Sequence, residues 1–169
     1  MPILNKNYLN NFEQVRVELT AVAQAYIANN FPHLYHSATG KIDENYKTSP
    51  YQILNFLRFN GIHGKEGFNR AKLVIESFGN ARDVNELLNI AINQTGDSQL
   101  HERFIDHLLE KVITCVDDEE RENLEKIKQG FGIGGVIFYQ AAENFLVGFL
   151  KEHAGIDLSP LENQNSVAL

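Results

Sequence analysis

Apolar residues recur along this chain with the period of a helix. Tyr8, Phe12, Val15, Leu19, Val22 and Tyr26 step by three or four, with Leu9, Ala23 and Ile27 beside them. This spacing puts them on one face and predicts a long amphipathic helix ending at Asn29-Asn30. A polar connection follows, and "SPYQILNFLRFNG" then opens a second helix. Ser49 is placed as N-cap, Pro50 at the first helical position and Gln52 at capping-box spacing, with Gly61 as the stop. "GIHGKEG" is a tight connection, "FNRAKLVIESFG" a third helix closed by Gly79, and "DVNELLNIAINQTG" a shorter fourth. In "SQLHERFIDHLLEKVITCV" two adjacent stripes, Phe104/Leu108/Val112/Cys115/Val116 and Ile105/Leu109/Ile113, predict a strong fifth helix.

"DDEERENLEKIKQ" restarts a helix, with Asp117 and Glu120 at capping-box spacing. Acids crowd its first turn, Lys126 and Lys128 fall in its last, and Glu122 pairs with Lys126 by i,i+4 spacing. Only Leu124 and Ile127 are apolar there, so this helix belongs on the surface. "GGVIFYQAAENFLVGFLKEHAG" is apolar around most of its circumference, apart from Gln140, Glu143, Asn144 and Lys151. That pattern predicts a central helix surrounded by its neighbours. No segment alternates with period two, so no sheet is expected. The expectation is an all-α, single-domain bundle of six or seven helices over residues 1–155, with a polar C-terminal tail over 156–169.

At 169 residues the chain suits one domain. Its net charge of −7 is uneven, because residues 117–169 carry 4 basic and 10 acidic groups. An acidic chain without a Lys/Arg stripe is a poor nucleic-acid binder, since phosphate neutralisation supplies most of that affinity. No membrane span and no signal peptide are expected. The single cysteine excludes an internal disulfide and predicts either a reducing compartment such as the cytoplasm or no dependence on redox state.

Candidate chemistry is sparse. "GFGIGG" over 130–135 fits the dinucleotide spacing G-x-G-x-x-G, but the most charged helical segment of the chain precedes it where a buried strand is required. The glycines are therefore expected to end one helix at Gly130 and let the next start close by. His63, Lys65, Glu66, Asn69 and Arg70 give the densest mix of reactive side chains. Were His63 a general base, with Glu66 and Arg70 beside it, the chain would be a small hydrolase or transferase. A flexible turn with solvated charges explains the same residues more simply.

His101 and His107 lie six apart, on different helix faces, and the spacing of His33 and His36 permits a metal only if two further ligands converge, so no metal and no cofactor are expected. Cys115, on an apolar stripe, is expected to be a buried small hydrophobe. What remains is a protein-interaction module, an adaptor, inhibitor or regulatory domain. Its expected contact surface is the acidic face of Asp117, Asp118, Glu119, Glu120 and Glu122, suited to a basic partner. The 3.5-residue seam of the first helix would drive a weak dimer if exposed. Its breadth suits burial against the fifth and last helices of a monomer.

The tail "SPLENQNSVAL" resembles the C-terminal export signals of effectors translocated by the type IVB (Dot/Icm) secretion system of intracellular bacteria. The likeness lies in small polar residues, Glu162 upstream, and Val167 and Leu169 at the end, although one Glu stands where the pattern has a cluster. The Asn/Lys/Ile-rich, Trp-free composition is similar too. The resemblance implies export into a host cell and a host protein target.

Overall fold

The computed structural model describes residues 2–31, 35, 36, 41, 42, 64–133 and 136–158, with backbone alone for 35, 36, 41, 42, 64–66, 127–133 and 136–139. Seven helices stand among them: α1 (Lys6–Leu9), α2 (Phe12–Asn30), α3 (Gly64–Asn80), α4 (Val84–Asn93), α5 (Ser98–Val112), α6 (Asp118–Ile133) and α7 (Val136–Ala154). The fold is the all-α bundle that the helical period predicts. The helix expected from Ser49, the glycines Gly134 and Gly135, and residues 159–169 of the tail lie outside the described residues.

Asparagines break the expected first helix in two. Asn5 caps α1 by accepting from the Tyr8 amide at 3.1 Å, and Asn11 caps α2 by accepting from the Gln14 amide at 3.2 Å. Short polar side chains compete for backbone amides in this way, and an unbroken apolar stripe does not reveal it. The stripe itself is core. Val15, Leu19, Ala23, Tyr26 and Ile27 are all buried. They pack chiefly on α3, then on α4 and α5, rather than on the last helix.

The predicted third helix starts four residues early, at Gly64, and absorbs much of the "GIHGKEG" connection. It runs through Gly79 to Asn80, and Gly79 has no positive φ. An arginine does the work expected of that glycine. Arg16 of α2 donates from Nε to the Phe78 carbonyl at 3.0 Å and from Nη2 to the Ala81 carbonyl at 2.7 Å. The Phe78 carbonyl, which also accepts from the Ala81 amide at 3.3 Å, and the Ala81 carbonyl just past the end of α3 are thus held from a neighbouring helix. Edge-to-face rings continue the α2–α3 contact through Tyr26–Phe31 at 5.8 Å and Phe31–Phe68 at 5.9 Å.

Asp83 and Asp97 cap α4 and α5 through the Glu86 and Leu100 amides. Six buried side chains, Leu100, Phe104, Ile105, Leu108, Leu109 and Val112, place α5 at the centre, against α1, α2, α4 and α7. Ala142, Leu146, Phe149 and Leu150 of α7 face the core, whereas Gln140, Ala141, Asn144, Gly148 and Lys151 are exposed.

Two short antiparallel pairs depart from the expectation of no sheet. β1 (Pro2–Leu4) pairs with β4 (Ile113–Cys115), and β2 (Tyr35–His36) pairs with β3 (Lys41–Ile42). The fifth helix therefore stops at Val112, and the β-branched Ile113 and Thr114 that follow belong to β4. A three-residue strand is too short to show alternation, and its partner lies more than a hundred residues away. Val116 is 58% exposed and Cys115 half-buried, so neither takes the core position that a longer helix would give it.

α6 is longer than expected, so Gly130 lies inside it and Lys126 and Lys128 are not in its last turn. Beyond α7 the body continues past residue 155. Leu158 is 1% exposed and its carbonyl accepts from Asn93 Nδ2 at 3.0 Å, while Ile156 packs against the core. No helix among the described residues is long and apolar enough to cross a membrane.

Candidate functional site

The acidic segment folds as its capping pattern dictates. Asp117 Oδ1 accepts from the Glu120 amide at 2.8 Å, which starts α6 with three carboxylates in its first turn, where the helix dipole favours them. Asp117, Asp118, Glu119 and Glu122 are exposed and Glu120 is half-buried. Glu122 lies 3.7 Å from Lys126, an exposed pair of little energetic weight. Successive helical residues turn by about 100°, so these acids wrap the first turn rather than share one face. Glu119 points away from the side on which Arg121, Leu124 and Glu125 stand.

That side opens on a cleft of about 230 Å³ between α6 and β4. Leu109, Glu110 and Ile113 line it opposite Arg121, Leu124 and Glu125, and Thr114 and Cys115 complete the wall. Leu109 and Ile113 are 2% and 4% exposed, so they form an apolar floor, bordered by the exposed residues Glu110 and Glu125. Glu125 has the acidic period of its helix as a sequence signal. Glu110 has none, because only the fold brings α5 alongside.

The alternative catalytic group is only partly described. His63 lies outside the described residues, as does the side chain of Glu66, whose backbone belongs to α3. Arg70 donates from Nη1 to the Gly96 carbonyl at 2.8 Å, tying α3 to the turn between α4 and α5. Among the described residues, no group of three or more His, Cys, Asp or Glu is placed to hold a metal ion.

Two interhelical polar contacts escaped the sequence. His107 Nε2 lies 3.4 Å from the Tyr8 hydroxyl and 3.8 Å from Glu18 Oε2, and Lys111 Nζ is 3.8 Å from Glu18 Oε1. Burial, and after it the Glu18 carboxylate, pushes the Tyr8 phenol above its ordinary range. Burial also lowers the His107 pKa from its usual 6.5, against the pull of Glu18. Between α5 and α7, His101 Nε2 stands 3.6 Å from Glu143 Oε1. Burial depresses the imidazole and raises the carboxyl. Neither contact lines a described cavity, and both tie helices together.

In comparisons with known proteins, the chain matches no family model, no curated protein and no solved structure.

Proposed function

We propose that this protein is a non-enzymatic interaction module that contacts a basic protein partner through the N-terminal half of α6. One observation carries the reading: a firmly capped helix exposes four carboxylates around its first turns, and an open, apolar-floored cleft adjoins one side of it. Fixed surface carboxylates steer a cationic partner and set its register. The burial of the α2 stripe within its own chain supports a monomeric module. Affinity capture with the wild-type chain, run beside Glu119→Lys/Glu122→Lys, tests the proposal. A specific partner is expected from the wild type and is lost on charge reversal. Recovery of the same proteins by both, or of none, counts against it.

The tail's resemblance to type IVB export signals supports a host cell as the place of action. A translocation reporter fused to the full chain, compared with a chain lacking residues 159–169, tests this. Equal delivery of the two would remove the export reading and leave the interaction reading untouched.

A further inference from the structure

We infer that the cleft between β4 and α6 is an anchor point for one aliphatic side chain, carried by a segment of the partner in which Lys or Arg flank it. The inference rests on the reading of α6 as a protein contact and specifies what is recognised there. Size is the first argument. At about 230 Å³ the cleft falls below the roughly 300–1,000 Å³ of pockets that enclose drug-sized ligands, and suits a single side chain.

The lining is the second argument. Leu109 and Ile113 form the floor and half-buried Leu124 a wall, and Val116, 58% exposed, directly follows β4. An aliphatic group seated here leaves water on two sides without displacing a buried charge. Charge is the third. Glu110 and Glu125 stand among the lining residues, and Glu122, which pairs with Lys126, lies within one turn of Glu125 along α6. Arg121 is the cation among the lining residues, and it opposes them. Lys or Arg on either side of the anchor therefore meets carboxylates, provided that it stays clear of Arg121. Among the lining residues, an acidic segment would have Arg121 alone in its favour.

Those opposed charges make the test specific. Three fluorescent nonapeptides serve as probes: a Lys/Arg peptide with a central Leu, the same peptide with a central Ala, and a Glu/Asp peptide with a central Leu. Anisotropy titrations use the full chain and three variants, Glu110→Gln/Glu125→Gln, Arg121→Gln and Leu124→Asn. The basic Leu peptide is expected to bind, and the Ala peptide about tenfold more weakly, since a buried aliphatic side chain is lost. Removing the carboxylates of Glu110 and Glu125 should weaken binding roughly two- to fivefold, and Arg121→Gln should tighten it by a similar factor. Opposite signs from two exposed substitutions cannot both come from misfolding. Leu124→Asn, with its thermal midpoint checked, should abolish the difference between Leu and Ala.

Equal binding of the Leu and Ala peptides, sensitive to Glu119→Lys/Glu122→Lys, overturns the anchor and leaves the acidic contact standing. Preference for the acidic peptide, lost in Arg121→Gln, overturns it in favour of an anionic occupant. If no peptide binds while affinity capture still yields a charge-dependent partner, the cleft is not where that partner sits. Failure of both experiments removes the functional reading as well.

Discussion

Arg16 shows how one side chain can replace a capping sequence. Its guanidinium holds the Phe78 and Ala81 carbonyls, pairs with Glu13 at 2.7 Å and lies 4.3 Å from the Phe12 ring centroid. Arg16→Ala should cost about 1–2 kcal/mol by urea unfolding, the range for hydrogen bonds to a charged group at a partly solvated site. Arg16→Lys should recover less than half, because an ammonium cannot present the planar fork. A second residue-scale expectation concerns Gly96 and Gly155, with φ of 73° and 68°. A Cβ at Gly96 would run into the Arg70 guanidinium, whereas nothing lies near one at Gly155. Gly155→Ala should therefore cost about 1–2 kcal/mol for the left-handed backbone alone, and Gly96→Ala at least as much in the same assay, because Arg70 must also swing away from the Gly96 carbonyl that it donates to. Caps that act within a few residues, such as Asp117 on the Glu120 amide, were legible in the sequence. Arg16 was not. Its acceptors lie 62 and 65 residues away, and no local pattern encodes such a partner.

Helices were legible wherever their apolar period was long, and the ends were not. Asn10-Asn11 interrupts a stripe that continues on both sides, and Val112 passes into a strand without a change of hydropathy. The acidic helix was found with its N-cap in place, but the cleft beside it needed α5 and β4 to be positioned first. Contacts between elements also govern the response to pH. His101 and His107 have pKa values lowered by burial, so the folded chain binds fewer protons than the unfolded chain just below pH 6.5. Stability is then full above that value and falls as pH drops from 6.5 towards the lower folded values. Glu143, raised from 4.5, acts in the opposite sense and contributes stability at low pH that is lost as pH rises through its folded value. With two histidines against one carboxyl, thermal midpoints should be level between pH 7 and 8 and decline by pH 5.5. His107→Gln should flatten that decline. A midpoint that rises on acidification over this range would show that the histidines do not control it.

At the scale of the whole molecule, the stripe on α2 decides what the surface offers. Val15, Leu19, Ala23 and Ile27 are each 0% exposed, so the seam is used up inside the chain and is not free for pairing between copies. Sedimentation equilibrium at two concentrations should return a mass near 19.2 kDa at both. A mass near double that would show that another face associates. The all-α class came from periodicity and capping signals, whereas the central place of α5 and the inclusion of Leu158 in the body depended on three-dimensional packing. The pairing of β1 with β4 also has a consequence in time. Pro2 meets Cys115 across the ladder, so β1 stays without its partner until the whole stretch between Pro2 and Cys115 has left the ribosome. Closing so long a loop is slow to be rewarded, and the strand is expected to dock after the helices have collapsed. Weakening it by Ile3→Gly should then speed unfolding and leave the refolding rate nearly unchanged, the signature of a latch that closes last.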